Sequence, residues 1–591
     1  MQEGLIYTND SCIGCNKCVR ICSSFGANMS MSGPQKSSIK INASRCIVCG
    51  ACIDVCAHGA REYHDDTAAF FDDLAAGKSI SVLVAPSFAA KYPRSYRKIL
   101  GALKRMGVQK VIPVSLGADI CTWAYLKYLK DGGRQSMIST SCPVVVSYIE
   151  HWIPSLLPRL LPVLSPLMCL ATYCREQLGM TESFAFIGPC IGKSLEVQRH
   201  PNLVQYNVTF PKLMEHLQGK LSDEDGEFDS FEYGLGSYYP APGGLADNVK
   251  WLLGDDTSVR VVSGKQYLYE RFEQGKRGIF SHELSYVLID ALNCQEGCIE
   301  GTARVHGDDE DLGLAQINQI RAGSKSNEAD SPWNPSLPPT ERLERLNQQF
   351  ADLDPASYAE TFTDESATCT VLYPNAAEAD KIYESLHKPD EKSRQINCSA
   401  CGYESCAEMM VAIFNGFNSR YNCVYFEKEE TARLARMSFA DQLTGVMNRN
   451  ALEMTGGDLY GRGHSLGLIV VDVNGLKHEN DTKGHTAGDR LIVETARALS
   501  NRFGRERVFR TGGDEFLVIL QDYHVEEIED GMRAVKDYLK TLDVSVAMGL
   551  SYCDSYEDDY DVMLKIADAH MYEDKAHYYE EYSTSIKRRE R

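Results

Sequence analysis

The sequence predicts a multidomain chain that combines α/β and α+β units, on three observations. At 591 residues it exceeds what one core can organise, since a prior of ~150 residues per domain gives about four units. From Lys78 to about Gly323, apolar strand-type runs (Ile80–Ala85, Val111–Val114, Phe184–Ile187) alternate with helix-type stretches such as Tyr96–Met106, the pattern of an α/β domain. Near the C-terminus, the short apolar runs Val508–Arg510 and Leu517–Leu520 flank Gly512-Gly513-Asp514-Glu515-Phe516. This reads as a hairpin whose glycines supply positive φ and whose acidic tip binds a hard cation carrying phosphates.

The connecting elements follow from composition. Ser324–Pro339 is polar and proline-bearing and reads as a linker, with a helix across Glu341–Phe350. Residues 424–440 contain no Gly or Pro and suit a helix leading into the last domain. The formal charge of −21 argues against a nucleic-acid backbone or an anionic membrane as main partner. Met1–Tyr7 lacks a basic n-region and an apolar h-region, so no secretory signal is expected. The longest apolar candidate, Trp152 to Cys174, carries Arg159 and Pro154, Pro158, Pro162 and Pro166, which no ordinary membrane helix tolerates. A cytoplasmic chain with neither nucleic-acid nor membrane partner is expected.

Twenty-one cysteines in such a chain point to metal rather than disulfides. Cys121, Cys169, Cys174, Cys369 and Cys553 fall outside ligand spacings and are expected as small buried hydrophobes. Cys12-x2-Cys15-x2-Cys18-x3-Cys22 recurs as Cys46-x2-Cys49-x2-Cys52-x3-Cys56. This doubled spacing resembles bacterial ferredoxins with two [4Fe–4S] clusters. The resemblance implies that the fourth cysteine serves the other cluster, giving Cys12, Cys15, Cys18 and Cys56 for one and Cys46, Cys49, Cys52 and Cys22 for the second. Ser23 and Ala57 stand where the usual proline would follow. Cys398-x2-Cys401-x4-Cys406-x16-Cys423 resembles the small iron–sulfur domain found beside electron-transfer modules. Four thiolates suit zinc or an iron–sulfur cube equally by softness, and the ferredoxin-type pair favours a third [4Fe–4S] cluster.

The remaining four ligand candidates are scattered: Cys142 in Thr140-Ser141-Cys142-Pro143, Cys190 in Gly188-Pro189-Cys190, and Cys294-x3-Cys298. In this order they resemble the signature loops of [FeFe]-hydrogenases. The resemblance implies an H-cluster, with Cys142, Cys190 and Cys294 on a cube, Cys298 bridging to a two-iron subsite and Lys193 donating to one of its cyanide ligands. A plain cube at the same four cysteines is the alternative. Ser141 replaces the cysteine that relays protons in catalytic members, and a hydroxyl is a poor shuttle beside a thiol of pKa ~8.5. Gly188 and Leu292 replace two methionines. The pattern resembles the sensory branch of the family.

Leu466–Asp472, then Val473–Asp489, and Asp441–Arg449 before them, together with the acidic hairpin, resemble the GGDEF family of diguanylate cyclases from about residue 433 onward. The resemblance implies Asp472 and Asp514 on Mg²⁺ or Mn²⁺, assisted by the Val473 carbonyl, with Glu515 at the second acidic position. It makes Asp514 the general base, puts Lys477 and Lys575 on GTP phosphates, and has Asn480 and Asp489 read the guanine edge. Asn474 replaces the second strand-end acid. Phe503–Glu506 lacks the Arg-x-x-Asp of product-inhibited members, and His577-Tyr578-Tyr579 replaces the usual Gly-Arg-Asn.

These resemblances divide the chain into a ferredoxin-like domain at 1–64 and a hydrogenase large-subunit-like domain with its linker at 65–365. A four-cysteine domain at 366–428, a signalling helix at 429–440 and a cyclase domain at 441–591 follow. The expected function is a redox- or hydrogen-sensing diguanylate cyclase acting on GTP as a homodimer, with a redox protein as a further candidate partner. The rivals are a hydrogen-converting oxidoreductase with a regulatory nucleotide domain, against which Ser141 counts, and a non-catalytic redox-responsive binding protein.

Overall fold

The computed structural model describes all residues except 1–3, 32, 34–36, 133–135, 230–233, 276–279, 281–284, 304–309, 326–327, 329–330, 456–462, 558–559 and 590–591. The chain forms two compact units, Met1–Phe426 and Glu427–Arg591.

In the first unit, β1 (Ile6–Thr8), β2 (Asn28–Ser30), β3 (Ile39–Ile41) and β4 (Arg61–Tyr63) make two antiparallel ribbons, β1 with β4 and β2 with β3. The two cysteine motifs of this region fold alike. Each runs through a left-handed residue, Asn16 or Gly50, into a short helix, Lys17–Arg20 or Ala51–Asp54.

The α/β body follows with β5 (Ile80–Val84), β6 (Val111–Pro113), β7 (Met137–Ile138), β8 (Ser183–Gly188), β9 (Tyr206–Thr209), β10 (Val259–Ser263) and β11 (Leu288–Leu292). Two parallel sheets result, in the orders β6-β5-β8-β9 and β10-β11-β7. All five residues of β5 are buried, as expected of a parallel strand covered on both faces. The proline-rich stretch is broken into a 3₁₀ turn (Pro154–Arg159) and a helix (Pro166–Glu176). Among the described residues no helix is long and apolar enough to cross a membrane.

Of the segment expected to be a linker, residues 326–327 and 329–330 lie outside the described residues, and the stretch at Pro332 and Trp333 is packed instead. Trp333 is buried in the main core, and the Trp251 indole donates to the Pro332 carbonyl at 3.1 Å. The following helix, Pro339–Gln349, lays Arg342 over the Trp251 ring at 3.7 Å. One tryptophan outweighs the polar composition that suggested a free loop.

The second unit is a five-stranded sheet in the order β12 (Met447–Asn448), β14 (Val508–Arg510), β15 (Glu515–Gln521), β13 (Leu466–Val473), β16 (Val546–Cys553). Alternation along β13 serves two faces. Ile469 and Val471 pack with Leu491, Leu499 and Val535 from the helices His485–Phe503 and Val525–Lys540. Leu466 and Leu468 pack with Met563 and Ala567 of the helix Tyr560–Arg589. β14 and β15 form the expected hairpin, with Arg510 opposite Phe516. Its glycines differ from expectation: neither Gly512 nor Gly513 adopts positive φ. A Cβ on Gly512 would lie 3.0 Å from Glu515 Oε2, so the side-chain hydrogen leaves room for the neighbouring carboxylate.

Candidate functional site

Cys142 follows β7, Cys190 follows β8 and Cys294 follows β11. Loops at the carboxyl ends of parallel strands therefore converge, which is where α/β sheets bind ligands. Gly297 delivers the fourth thiol. Its φ is 65°, a Cβ there would fall 2.1 Å from the Pro240 carbonyl oxygen, and the Cys298 N–H donates to that same oxygen at 2.8 Å. The four thiols crowd one another. Burial and then Cys190 push Cys142 up to about 11. Burial and then Cys142 and Cys190 push Cys298 up to about 12. Burial, with Cys190, Cys142 and Cys298, also raises Cys294. Iron bound at four such thiolates would relieve the like-charge repulsion, and soft thiolates suit it, so the donor set fits an iron–sulfur group.

A cavity of about 80 Å³ opens beside them, lined by Ser141, Phe186, Lys193, Tyr239, Leu292 and Cys298 among others. One water needs only ~10–15 Å³ on this measure, so a group of several heavy atoms fits. Cys298 is the cysteine of the Cys294-x3-Cys298 pair that lines this cavity. Lys193 Nζ lies 2.8 Å from Glu196 Oε2 and 3.2 Å from Ser165 Oγ. Burial opposes its charge, but Glu196, Cys190 and Cys298 outweigh that and raise its affinity for the proton.

The ferredoxin-type cysteines separate into two groups. Cys18 is raised by burial with Cys12 and Cys15 as charge neighbours, although the Arg61 guanidinium, 3.0 Å from Cys18 Sγ, counters them. Cys22 has Cys49 as its main charge neighbour, and Cys52 has Cys46, Cys49 and Cys22. Cys22 thus stands with the second motif. Cys56 Sγ accepts the Ala60 N–H at 3.3 Å. In the last set, Cys401 has Cys423 and Cys398 as charge neighbours, Cys423 has Cys406, and the buried Lys388 donates to Cys406 Sγ at 3.5 Å. Among the described residues no three His, Cys, Asp or Glu side chains are set for one metal ion; a cluster with one iron per thiolate does not require that spacing. Of the five other cysteines, Cys121, Cys169, Cys174 and Cys369 are buried and Cys553 is half-buried.

In the second unit the acidic residues meet at adjacent strand ends. Asp472 on β13 faces Glu515 on β15 in register, and the Val473 N–H donates to the Asp514 carbonyl at 3.1 Å. Asp472 is buried and its carboxyl is raised, by burial first and also by Asp514, against the opposing Lys575. Lys575 Nζ approaches Asp472 Oδ1 to 2.7 Å, an ion pair by distance, yet no aligned hydrogen-bond donor serves that oxygen. A lysine ammonium in this position stands in for a cation, and two carboxylates with a carbonyl suit a hard divalent ion. Asn480 Oδ1 also lacks a hydrogen-bond partner among the described residues. Lys477 and Asp489 are exposed on the helices Leu476–Lys483 and His485–Phe503.

Family profiles match four segments: "4Fe-4S dicluster domain" at 11–60, "Iron only hydrogenase large subunit, C-terminal domain" at 78–302, "Putative Fe-S cluster" at 395–425 and "Diguanylate cyclase, GGDEF domain" at 438–580. The chain joins an iron-only hydrogenase large-subunit domain to a GGDEF domain. Iron hydrogenase 1 of Clostridium pasteurianum is 23% identical over 397 residues, 49% of this chain and 68% of that protein. Diguanylate cyclase DgcN of Escherichia coli K12 is 33% identical over 132 residues, 20% of this chain and 32% of that protein. DgcP of the same strain is 26% identical over 214 residues, 32% and 63%. The chain thus spans less than two thirds of either cyclase relative.

Three features of the hydrogenase-type and GGDEF domains escaped the sequence motifs. At Gly188 the space a side chain would take is filled by Phe186, whose ring lies 2.2 Å from where a Cβ would be. The Lys193–Glu196 pair was legible only as an i,i+3 spacing. In the GGDEF domain, Arg510 Nη1 pairs with Asp441 at 3.0 and 3.2 Å while its Nη2 donates to the Gly513 carbonyl at 2.8 Å. The acidic turn is thereby braced to the loop that opens the domain. Where Gly-Arg-Asn is missing, nothing stops the last helix, which continues to Arg589.

Proposed function

We propose that this chain is a diguanylate cyclase whose rate is set by an iron–sulfur sensor built on a hydrogenase-type domain. The observation that supports the output most strongly is the meeting of Asp472 and Asp514 at adjacent strand ends with Lys575 from the last helix. In the reaction, the 3′-hydroxyl of each GTP attacks the α-phosphate of the other, a P–O bond forms, and pyrophosphate leaves, twice per product. Asp514 accepts the hydroxyl proton. Asp472, Asp514 and the Val473 carbonyl would hold Mg²⁺ or Mn²⁺, which when bound neutralises the triphosphate. Glu515 supports that charge, Lys477 and Lys575 contact phosphates, and Asn480 and Asp489 recognise guanine. Each domain binds one GTP, so product requires two chains facing each other as a homodimer.

For the input, the central cysteines hold an H-cluster or a plain cube, with Lys193 as the fixed cation of the pocket. Ser141, Leu292 and the space-filling Phe186 all count against rapid hydrogen turnover. Cytoplasmic GTP and reduced thiols fit both halves. The test is anaerobic: iron-loaded chain given GTP and Mg²⁺ should form cyclic di-GMP and should contain about sixteen irons with four cubes, or about eighteen with the two-iron subsite. GTP binding without product under any redox condition would overturn the cyclase reading. About twelve irons would overturn the central centre.

A further inference from the structure

Two asparagine bridges tie neighbouring cysteine centres of the first unit together. Asn293, beside Cys294, donates from Nδ2 to the Cys49 carbonyl at 3.2 Å and to Cys294 Sγ at 3.5 Å, while its Oδ1 accepts the Tyr269 hydroxyl at 2.7 Å. Asn16, between Cys15 and Cys18, donates to Asn422 Oδ1 at 2.7 Å and to the Ala400 carbonyl at 3.1 Å. Asn422, beside Cys423, donates onward to the Cys401 carbonyl at 3.2 Å and to Asn418 Oδ1 at 3.0 Å. Asn293, Asn16 and Asn422 are only 1, 7 and 8% exposed. The bonds these buried amides donate fix the register of the loops they join, although Asn16 Oδ1 itself accepts none among the described residues.

The packing agrees. Cys18, Val19, Cys401, Tyr403, Cys423 and Phe426 share one apolar core. A Cβ on Gly402 would come within 2.7 Å of Val19 Cβ, so the two loops touch at backbone distance. Between the bridges, Cys22 of the first motif stands beside Cys49 of the second. The helix Val424–Phe439 begins at the residue after Cys423.

We propose that Asn16 and Asn422 are positioning residues that mount the 398–423 centre as the last member of a single row of redox centres. The row runs from the central cysteines to Cys22, Cys46, Cys49 and Cys52, then to Cys12, Cys15, Cys18 and Cys56, and ends at Cys423, against the connecting helix. This rests on the iron–sulfur reading above. Along the row single electrons pass from a low-potential reductant, which is oxidised, through the intervening centres to the 398–423 centre, which is reduced, with no bond formed or broken.

Electron paramagnetic resonance of the full chain, loaded with iron and sulfide anaerobically and reduced with dithionite, tests it. Neighbouring reduced centres split and broaden each other's signals. Cys15→Ala should therefore simplify the signal of the 398–423 centre, and Cys298→Ala should not. Asn16→Gly tolerates the left-handed backbone and removes the amide, and it should lose part of the splitting at unchanged iron content. Should Cys15→Ala fail to fold, a potentiometric titration of the unaltered chain serves: broadening that appears only when both centres are reduced supports the row, and independent signals overturn it. An iron-loaded 398–423 centre indifferent to Cys15→Ala overturns this proposal alone. A chain without iron at 398–423 overturns it together with the cluster reading.

Discussion

The GGDEF site and the hydrogenase-type pocket gather their residues in opposite ways. Asp472, Asp514 and Glu515 come together through one antiparallel pairing, β13 with β15. The four central cysteines come from the ends of strands in two separate parallel sheets, and the last of them is aimed by a glycine wedged against Pro240. A site made by one strand pair is self-contained. A site made by several distant loops depends on the whole body around it and responds to whatever shifts that body. On the proposed reading, the contrast suits an output whose chemistry is assembled locally and an input that must register a change.

That contrast can be broken experimentally. The largest effect is expected from Asp514→Ala, which should lower cyclic di-GMP formation by about 10²–10⁴-fold, the usual worth of a general base, while iron content stays unchanged. Loss of iron in that variant would show that the two regions are not independent. Next comes coupling: cyclase rates under hydrogen and argon, or in reduced and oxidised chain, should differ by roughly 5–150-fold. Cys298→Ala should abolish the hydrogen response and preserve the basal rate. Equal rates in all four conditions would reduce the fusion to tethering.

Arg510→Ala sharpens the output side. Its pair with Asp441 is mostly buried, with side chains 15 and 21% exposed, and it holds the Gly513 carbonyl. Misplacing the turn should slow turnover by about tenfold, with partial recovery in Arg510→Lys. Unchanged kinetics would make the brace a matter of stability only. The smallest effect concerns Asp290 on β11, which burial, against the Ala246 N–H, pushes up to about 7. Because the folded value is raised, its contribution to stability is full below ~3.9 and is lost as pH rises through about 7. Asp290→Asn should therefore raise the melting temperature more at about pH 8 than at about pH 5. An equal gain at both would refute the assignment.

What the sequence made legible follows the same divide. The α/β alternation, the acidic hairpin and the cysteine spacings are local patterns, and the sheets and loops appear where those patterns lie. Pairing partners across the fold are not written locally. Nothing near Cys15 says that Asn16 meets Asn422. Trp333 misled in the other direction, since its neighbours are polar and its burial depends on Trp251 and the helix after it. Gly512 reads as a source of backbone freedom, whereas its use lies in lacking a Cβ beside Glu515; the space around Gly513 is open.

If the GGDEF site takes GTP with a divalent cation, as proposed, Lys575 governs how the two bind. The ammonium neutralises Asp472, so a divalent ion that arrives alone must displace a lysine from a buried carboxylate and leave it only the weaker pull of Asp514 and Tyr579. A triphosphate arriving with the ion gives the lysine a new anion. Nucleotide and cation should each tighten the other's binding by the same factor, because such coupling is reciprocal. In a cell where magnesium is steady and GTP varies, the site would stay latched until the nucleotide itself opened it.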